Sequence, residues 1–267
     1  MRTPHRRIRG KLESGGRALG VTLQLPCPDI AEIAGYAGFD FAWIDAEHGT
    51  FDLGRISEMV RAADASGIDA IVRVPDHNPS FIQRVLDTGA SGIIVPHICT
   101  VAEATAVAAA ARFGPAGTRG ACPSTRSVGH LTSDWSASAR QADADVLVAG
   151  LIEDLAGVEN VEEIARVSGL DALLFGPFDL AQQLGFDGDV THPEIEAMHD
   201  RVVAAARAAG IEYLSIPAWE YADLATVAEY SRILALTGDR GGLFTTFRTT
   251  LAETIEALAG LRAGAAT

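Results

Sequence analysis

Short apolar runs alternate with amphipathic segments about eight times along the 267 residues of the chain. The runs are almost continuously hydrophobic, which is typical of parallel strands covered on both faces, and the intervening segments carry apolar residues at helical spacing. We predict strands at residues 18–25, 39–45, 69–74, 92–95, 146–152, 172–175, 212–216 and 233–236. Eight such units without a linker-like break predict one α/β domain over residues 1–267, a closed (β/α)8 TIM barrel.

The alternative α/β architecture, an open doubly wound sheet, fits the sequence less well. An open sheet that binds a nucleotide would carry a G-x-G-x-x-G turn directly after an early strand, and no early strand is followed by one. Residues 114–120 are rich in Gly, but they follow a predicted helix. The closed barrel is therefore the prediction.

Composition excludes several classes of function. The formal net charge is −14, whereas binding to nucleic acid needs clustered Lys and Arg. No apolar run approaches the roughly 18 residues of a membrane span. Cys27, Cys99 and Cys122 lie far apart, which disfavours a disulfide framework or zinc cluster and suits a reducing cytoplasm. Residues 1–11 are basic but precede no apolar segment, so we expect a solvated tail leading into a first helix turn.

Ionisable side chains are concentrated where the predicted strands end. In a barrel the carboxyl ends of all strands share one face, so these side chains should meet in its mouth. They are Asp45, Glu47 and His48 after the second strand, Arg73 in the third, Glu153 and Asp154 after the fifth, and Asp179 after the sixth. The set contains a histidine, an arginine and several carboxylates, without a Ser or Cys paired to a base.

These residue types suit metal-assisted or proton-transfer chemistry. Glu153 and Asp179 could bind a hard divalent cation, although each could instead cap the following helix. Arg73 could be a structural ion-pair residue, but its planar fork equally suits a carboxylate or a developing oxyanion. His48 is the acid/base candidate and His97, after the fourth strand, is its rival.

With these residues assembled, the chain resembles the HpcH/HpaI aldolase family, which are class II, metal-dependent pyruvate aldolases of the phosphoenolpyruvate/pyruvate barrel superfamily. The resemblance extends through about residue 210. Its most specific parts are D-x-E-H, V-P after G-x-x-G-I, and G-P-x-D-L. They lie in GFDFAWIDAEHGTFD (38–52), LDTGASGIIVPHICTVAEA (86–104) and residues 157–185, with VRVP (72–75), PAGTRGA (115–121), IED (152–154) and HPEI (192–195) in the same order.

The resemblance implies a role for each matching residue. Glu153 and Asp179 correspond to ligands of Mg²⁺, Mn²⁺ or Co²⁺. Arg73 corresponds to the arginine that binds the pyruvate keto oxygen and stabilises the enolate. His48 corresponds to the acid/base histidine, with Asp45 as its neighbour in the motif.

The resemblance also implies an assembly and a substrate-binding turn. Asp87 corresponds to an aspartate that approaches the histidine from a neighbouring subunit. Backbone N–H groups near Phe178 and Asp179, in the turn that begins Gly176-Pro177, correspond to those that hold the pyruvate carboxylate. The family forms homo-hexamers, trimers of dimers, in which the last helix is exchanged between subunits.

The chain departs from the family pattern at two places. Leu151 replaces a Gln that many members carry near the substrate. Residues 237–251, TGDRGGLFTTFRTTL, match poorly, and residues 238–242 within them predict a flexible charged loop at the mouth before a last helix at 244–261. A third distinctive segment is the long irregular stretch 113–131, which ends near His130. We expect Leu151, this stretch and the segment after residue 236 to determine the specificity for the aldehyde.

The expected activity is reversible aldol addition between the enolate of pyruvate, or of a related 2-oxo acid, and an aldehyde. A citrate-synthase-like or citramalyl-CoA-lyase-like reaction of the same enolate is the alternative. A CoA substrate would favour basic residues at the mouth, for which Arg119, Arg126 and Arg240 are available. A barrel that binds a metabolite without turnover is the non-enzymatic alternative.

Overall fold

The computed structural model describes residues 6–216 and 224–264. Eight parallel strands in these residues pair in chain order, and the first also pairs with the last, so the sheet closes into a barrel. The strands are β1 (Ala18–Leu23), β2 (Phe41–Asp45), β3 (Asp69–Arg73), β4 (Gly92–Val95), β5 (Leu147–Ile152), β6 (Ala172–Phe175), β7 (Glu212–Ser215) and β8 (Ile233–Gly238). This confirms the predicted (β/α)8 barrel.

Most helices lie between successive strands and cover the outside of the barrel, whereas the first precedes all strands and the last has mostly exposed side chains. They are α1 (Arg7–Glu13), α2 (Pro28–Tyr36), α3 (Leu53–Ala65), α4 (Pro79–Asp87), α5 (Val101–Ala110), α6 (Trp135–Asp145), α7 (Leu155–Glu159), α8 (Val161–Ile164), α9 (Pro177–Gln183), α10 (Pro193–Ala209), α11 (Leu224–Tyr230) and α12 (Asp239–Gly264). Among the helices described, none combines the length and apolar character that crossing a bilayer requires.

Two apolar layers hold the barrel together. One fills its interior and includes Phe41, Trp43 and Leu151, while the other lies between the strands and the outer helices. Gly20 shows how tightly the interior is packed, since a Cβ atom there would lie 2.2 Å from the ring of Phe41. Side chains fill the barrel, and the room for a ligand is therefore at its mouth.

Helix α1 closes the end of the barrel opposite the mouth. Ile8 is 2% exposed and packs with the interior layer, and its backbone N–H donates to Asp69 Oδ2 at 2.9 Å. The expected helix turn is present as α1, but this segment is not a free tail, because one apolar side chain and one buried carboxylate anchor it. Residues 1–5 of the expected tail lie outside the described residues.

The stretch 113–131 runs along the closed end of the barrel. Arg119 donates to Asp87 at 2.8 Å, and Arg126 pairs with Asp64 and donates to the carbonyl of Thr88. These partners lie at or near the carboxyl ends of α3 and α4, which lead back to the starts of strands. Within one chain the stretch and His130 therefore do not line the mouth, contrary to expectation.

The segment after β8 is a helix from its first residue. Asp239 is buried, and its carboxylate accepts hydrogen bonds from the backbone N–H groups of Gln24 and Leu25 at 2.8–3.0 Å. The expected flexible loop at residues 238–242 is wrong, because this carboxylate fixes the start of α12 to the end of β1. The same bonds explain why β1 ends two residues before the predicted boundary.

Asp69 should make stability depend on pH. Burial raises its pKa to about 7, against the opposing hydrogen bonds from Ile8 and Arg7. The folded protein therefore holds this proton more tightly than the unfolded chain, so the contribution is present at pH 4 and is lost as the pH rises towards 7. We expect the free energy of unfolding of the metal-free protein to fall by about 1–4 kcal/mol from this group over that window. Asp69→Asn should remove this contribution to the pH dependence. Urea unfolding of the wild type and of Asp69→Asn at pH 5 and pH 8 measures the decrease in the free energy of unfolding, and an equal decrease in the two proteins would contradict the prediction.

Candidate active site at the mouth of the barrel

Asp45, at the carboxyl end of β2, is the most heavily hydrogen-bonded side chain of the mouth. It is 0% exposed, and its two oxygens accept from Arg73 Nε at 2.9 Å, Arg73 Nη2 at 2.6 Å and Gln24 Nε2 at 2.8 Å. The backbone N–H groups of Glu47 and His48 add two longer bonds of 3.2 Å. Asp45 therefore cannot reach a ligand and instead fixes the groups around it.

Despite burial, the hydrogen bonds and the Arg73 charge lower the pKa of Asp45. Burial alone raises the pKa, but the hydrogen bonds and positive charge of Arg73, with the hydrogen bonds from Gln24 and the backbone of His48, lower it by more. The net pKa lies below the ordinary value, so this carboxylate stays ionised. A permanent negative charge beneath the mouth keeps Arg73 in place.

Arg73 ends β3 next to Asp45, to which it is paired in the sheet register. Its guanidinium also lies 2.9 Å from Glu47 Oε2 and 5.6 Å from the centre of the Trp43 ring. Burial lowers its pKa, yet the Asp45 and Glu47 carboxylates raise it by more, so the group is always a cation. Two acids and an aromatic face thus hold Arg73 in one orientation.

Glu153, directly after β5, is the buried acid on the other side of the mouth. It is 3% exposed, and its Oε1 accepts from the backbone N–H of His97 at 3.0 Å. Burial raises its pKa to about 7, His97 opposes this, and the charges of Glu47 and Asp179 add to it. A carboxyl group with a pKa near 7 can readily exchange a proton at that pH or bind a cation, and such groups are common in active sites.

Gly176 makes room for Glu153. A Cβ atom at position 176 would lie 2.6 Å from Glu153 Cβ and 2.8 Å from its Oε2. The backbone at Gly176, with φ −106° and ψ 92°, is a conformation that any residue can adopt. Glycine is required here because a side chain would collide with Glu153. The G-P-x-D-L motif therefore begins with glycine to admit the acid of the preceding strand.

His97 follows β4 and faces three acids. Its Nδ1 lies 2.9 Å from Asp154 Oδ2 and 3.6 Å from Glu153 Oε1, and its Nε2 lies 3.7 Å from Glu47 Oε1. Burial lowers its pKa, but the hydrogen bond to Asp154 and the charges of all three acids raise it by more. His97, the weaker histidine candidate from the sequence, is the one that meets the buried acids.

The group that could hold a metal ion is Glu47, His97 and Glu153. One ligand atom from each lies within 4.8 Å of the other two. Glu47 Oε2 is buried and receives no hydrogen bond, although it is ion-paired with Arg73. Carboxylate oxygens and an imidazole nitrogen that are already close together and incompletely bonded fit a divalent cation.

The expected site residues do not all meet. Asp179 lies exposed in the first turn of α9, where its charge raises the pKa of Glu153, and it is not part of the three-residue group. His48 stands at the edge with its side chain 62% exposed, and its Nε2 is 4.0 Å from Glu47 Oε2. Leu151 is buried in the barrel interior beside Gly176.

Asp87 lies away from the mouth of its own barrel. It is the last residue of α4 and binds Arg119 at the closed end. Any contact with a histidine at a mouth therefore requires a second subunit, as the resemblance implies.

Sequence reasoning missed Gln24 and considered Arg240 only as a basic residue available to a CoA substrate. Gln24, after β1, donates to Asp45, and the Arg240 guanidinium lies 3.4 Å from the carbonyl of His48 and 3.3 Å from that of Gln24. The position of Gln24 at a strand end was an available signal. The role of Arg240 depends on where α12 begins, which the glycine-rich sequence concealed.

Comparison with known proteins places this arrangement in a family. The sequence model of the HpcH/HpaI aldolase/citrate lyase family matches residues 19–245. A 4-hydroxy-2-oxovalerate aldolase of Novosphingobium aromaticivorans is 39% identical over 79% of this chain and 81% of its own length. A hydroxypyruvate/pyruvate aldolase of Agrobacterium fabrum is 32% identical over 88% and 92%. The crystal structure of the citrate synthase SbnG superposes with a TM-score of 0.86 at 26% identity, over 96% of this chain and 99% of that one.

Gly176→Ala tests whether Glu153 binds the cation. The added methyl group should displace the Glu153 side chain, so we expect the affinity for Mn²⁺ to fall about tenfold or more. Gly241→Ala is the matched control, because a Cβ atom there has no neighbour within 4 Å. The Mn²⁺ affinity of this variant should equal that of the wild type. Isothermal titration calorimetry on metal-stripped protein measures both. Unchanged Mn²⁺ affinity in a folded Gly176→Ala protein would exclude Glu153 as a ligand.

Proposed function

Because the chain belongs to the HpcH/HpaI aldolase/citrate lyase family, we propose that it joins the enolate of pyruvate, or of a related 2-oxo acid, to an aldehyde and reverses that reaction. Relatives that match most of the chain are named aldolases, and like them it is a carbon–carbon lyase. The observation that carries the substrate proposal is the convergence of a fixed cation, Arg73, and a buried acid, Glu153, on one mouth. An enolate needs positive charge at its oxygen, and this mouth provides it.

Arg73 would stabilise the developing oxyanion. Two of its N–H groups donate to Asp45 and its charge is paired with Glu47, so the guanidinium is oriented before substrate arrives and needs no rearrangement. Asp45 thus acts as a positioning residue for Arg73. The resemblance places Asp45 with the catalytic residues as the neighbour of His48, and we propose that it serves them by positioning Arg73.

Glu153 and Asp179 would hold a divalent cation, Mg²⁺, Mn²⁺ or Co²⁺. When bound, such an ion supplies Lewis acidity that acidifies the pyruvate methyl group and stabilises charge on the keto oxygen. The support is the family resemblance, the burial of Glu153, and the effect of the Asp179 charge on its pKa.

The pyruvate carboxylate would lie against the turn that opens α9. This turn contains Gly176, Pro177, Phe178 and Asp179, and it follows β6 directly beside Glu153. Leu151 forms an apolar floor next to it, where many family members carry Gln. His48, exposed at the edge of the mouth, would move a proton to or from the substrate.

We further propose a homo-hexamer, a trimer of dimers in which α12 is exchanged between subunits. Along α12, apolar side chains at a spacing of three or four residues are exposed, namely Phe244, Phe247, Leu251, Ile255 and Leu258. A stripe of this kind on a monomer indicates a protein partner. Asp87 of a neighbouring subunit would then approach His48.

A citrate-synthase-like condensation of the same enolate is the second candidate. The similarity to the citrate synthase SbnG favours it. A citramalyl-CoA-lyase-like reaction is less favoured, because Arg119 and Arg126 pair with Asp87 and Asp64 at the closed end of the barrel. Of the three basic residues considered for CoA, Arg240 alone is at the mouth.

Proton exchange at the pyruvate methyl group tests the proposal before the aldehyde is known. We expect NMR in D2O to detect exchange that requires added Mg²⁺, Mn²⁺ or Co²⁺ and stops in the metal-stripped protein. Arg73→Lys keeps a charge beside buried Asp45 but loses the planar fork, so the rate should fall about 10²–10³-fold. Glu153→Gln should abolish exchange.

Arg201→Lys is the matched control, because Arg201 pairs with Glu162 on the surface and should leave the rate unchanged. Absence of exchange in the wild type with every metal would overturn the pyruvate proposal. Proton exchange together with condensation products formed from oxaloacetate, and no cleavage that releases an aldehyde, would instead support the citrate-synthase-like reaction. Metal binding without turnover of any 2-oxo acid would indicate a metabolite-binding barrel.

A further inference from the structure

The backbone of His97 is in a conformation that a histidine rarely adopts. Its φ is +54°, in the left-handed region, although the residue is not glycine. Two hydrogen bonds hold it there: its own N–H donates to Glu153 Oε1, and the next N–H, of Ile98, donates to the carbonyl of Leu151. Strained backbone of this kind is typical of functional sites. At this position it turns the imidazole towards the acids of the mouth.

The ring of His97 is oriented by one of these acids. Asp154 Oδ2 lies 2.9 Å from Nδ1, so that nitrogen carries the proton in the hydrogen bond. The other nitrogen, Nε2, is then an acceptor in the neutral ring. It lies 3.7 Å from Glu47 Oε1, which is too far for a hydrogen bond. The ring therefore directs an available lone pair towards a second carboxylate.

The spacing of the ligand atoms is close to that around a single ion. Two atoms that each lie about 2.1 Å from a metal are separated by at most about 4.2 Å. The free nitrogen of His97, Nε2, lies 3.7 Å from Glu47 Oε1, within this limit, and one ligand atom each from Glu47, His97 and Glu153 lie within 4.8 Å of one another. Pairing of histidine with a carboxylate on the nitrogen away from the metal is also the common arrangement around protein-bound metals.

The charges at this place call for a cation. Glu47, Glu153 and Asp154 surround His97, and the nearby Arg73, which is shared between Asp45 and Glu47, forms no ion pair with Glu153 or Asp154. Like charges at these distances repel unless a cation lies among them. A divalent ion would relieve the repulsion and use the nitrogen.

We infer that His97, oriented by Asp154, is a nitrogen ligand of the metal ion bound at Glu153. The inference rests on the metal site of the proposed function and adds a ligand to the Glu153 and Asp179 pair. Because imidazole binds Mn²⁺, Co²⁺, Ni²⁺ and Zn²⁺ far better than it binds Mg²⁺, the site selects a transition metal over magnesium.

Pulsed electron paramagnetic resonance of the Mn²⁺-loaded protein tests the inference directly. With ¹⁵N-histidine incorporated, we expect the wild type to display coupling of Mn²⁺ to one imidazole nitrogen. His97→Asn should lose that coupling, and asparagine tolerates the left-handed backbone, so the variant should fold. His130→Asn, which removes a histidine at the closed end of the barrel that is also at positive φ, should retain it.

Calorimetry with Co²⁺ and Mg²⁺ provides the second readout. We expect the ratio of Co²⁺ to Mg²⁺ affinity to fall about tenfold or more in His97→Asn, because the nitrogen favours Co²⁺ alone. Asp154→Ala should weaken Co²⁺ binding by about 10–100-fold through loss of ring orientation. Mn²⁺ without nitrogen coupling in the wild type, coupling that persists in His97→Asn, or absence of Mn²⁺ binding would each overturn the inference.

The two proposals fail in different experiments. Metal-dependent exchange of pyruvate protons without nitrogen coupling would leave the aldolase proposal standing and exclude His97 as a ligand. Nitrogen coupling without exchange on any 2-oxo acid would support His97 ligation and exclude the proposed reaction.

Discussion

The pairing of Asp45 with Arg73 determines the shape of the mouth. A fully buried carboxylate destabilises the folded state unless it is paired with a cation, and removal of one partner from such a pair destabilises a protein by about 3–5 kcal/mol. Both ends of the pair lie on neighbouring strands in direct register, so closure of the barrel brings them together. The guanidinium then also lies in ion-pair distance of Glu47, and the turn after β2 donates two backbone hydrogen bonds to the Asp45 carboxylate. One ion pair thus fixes the acid, the cation and the start of the following loop.

Across the mouth the balance of charge is different. Glu153 and Asp154 approach His97, and neither forms an ion pair with an arginine among the described residues, while burial raises the pKa of Glu153 to about 7. One side of the mouth therefore has paired charges, and the acids of the other side would hold a proton or a cation. Under the proposed reaction, Arg73 would face the developing oxyanion from the first side and these acids would hold the cation that supplies Lewis acidity.

Much of this could be read from the sequence because barrel strands place their carboxyl ends together. The eight apolar runs predicted the fold, and the residues following them, such as Arg73 and Glu153, predicted the site. The errors arose where one tertiary contact overrides local composition. Glycines after β8 suggested a loop, but Asp239 caps β1 and starts a helix; basic residues at the amino terminus suggested a tail, but Ile8 enters the core. His97 could not be ranked above His48, since only the fold shows which acids surround each ring.

The first two residues of α12 connect distant parts of the molecule. Asp239 binds the backbone after β1, and Arg240 lies against the carbonyls of Gln24 and His48, whereas the rest of the helix carries the exposed apolar stripe. A subunit that packed on the stripe would therefore bind the same helix whose first turn contacts the segments that carry Gln24 and His48. Under the proposed assembly, subunit contacts and the geometry of the mouth would share one rigid element.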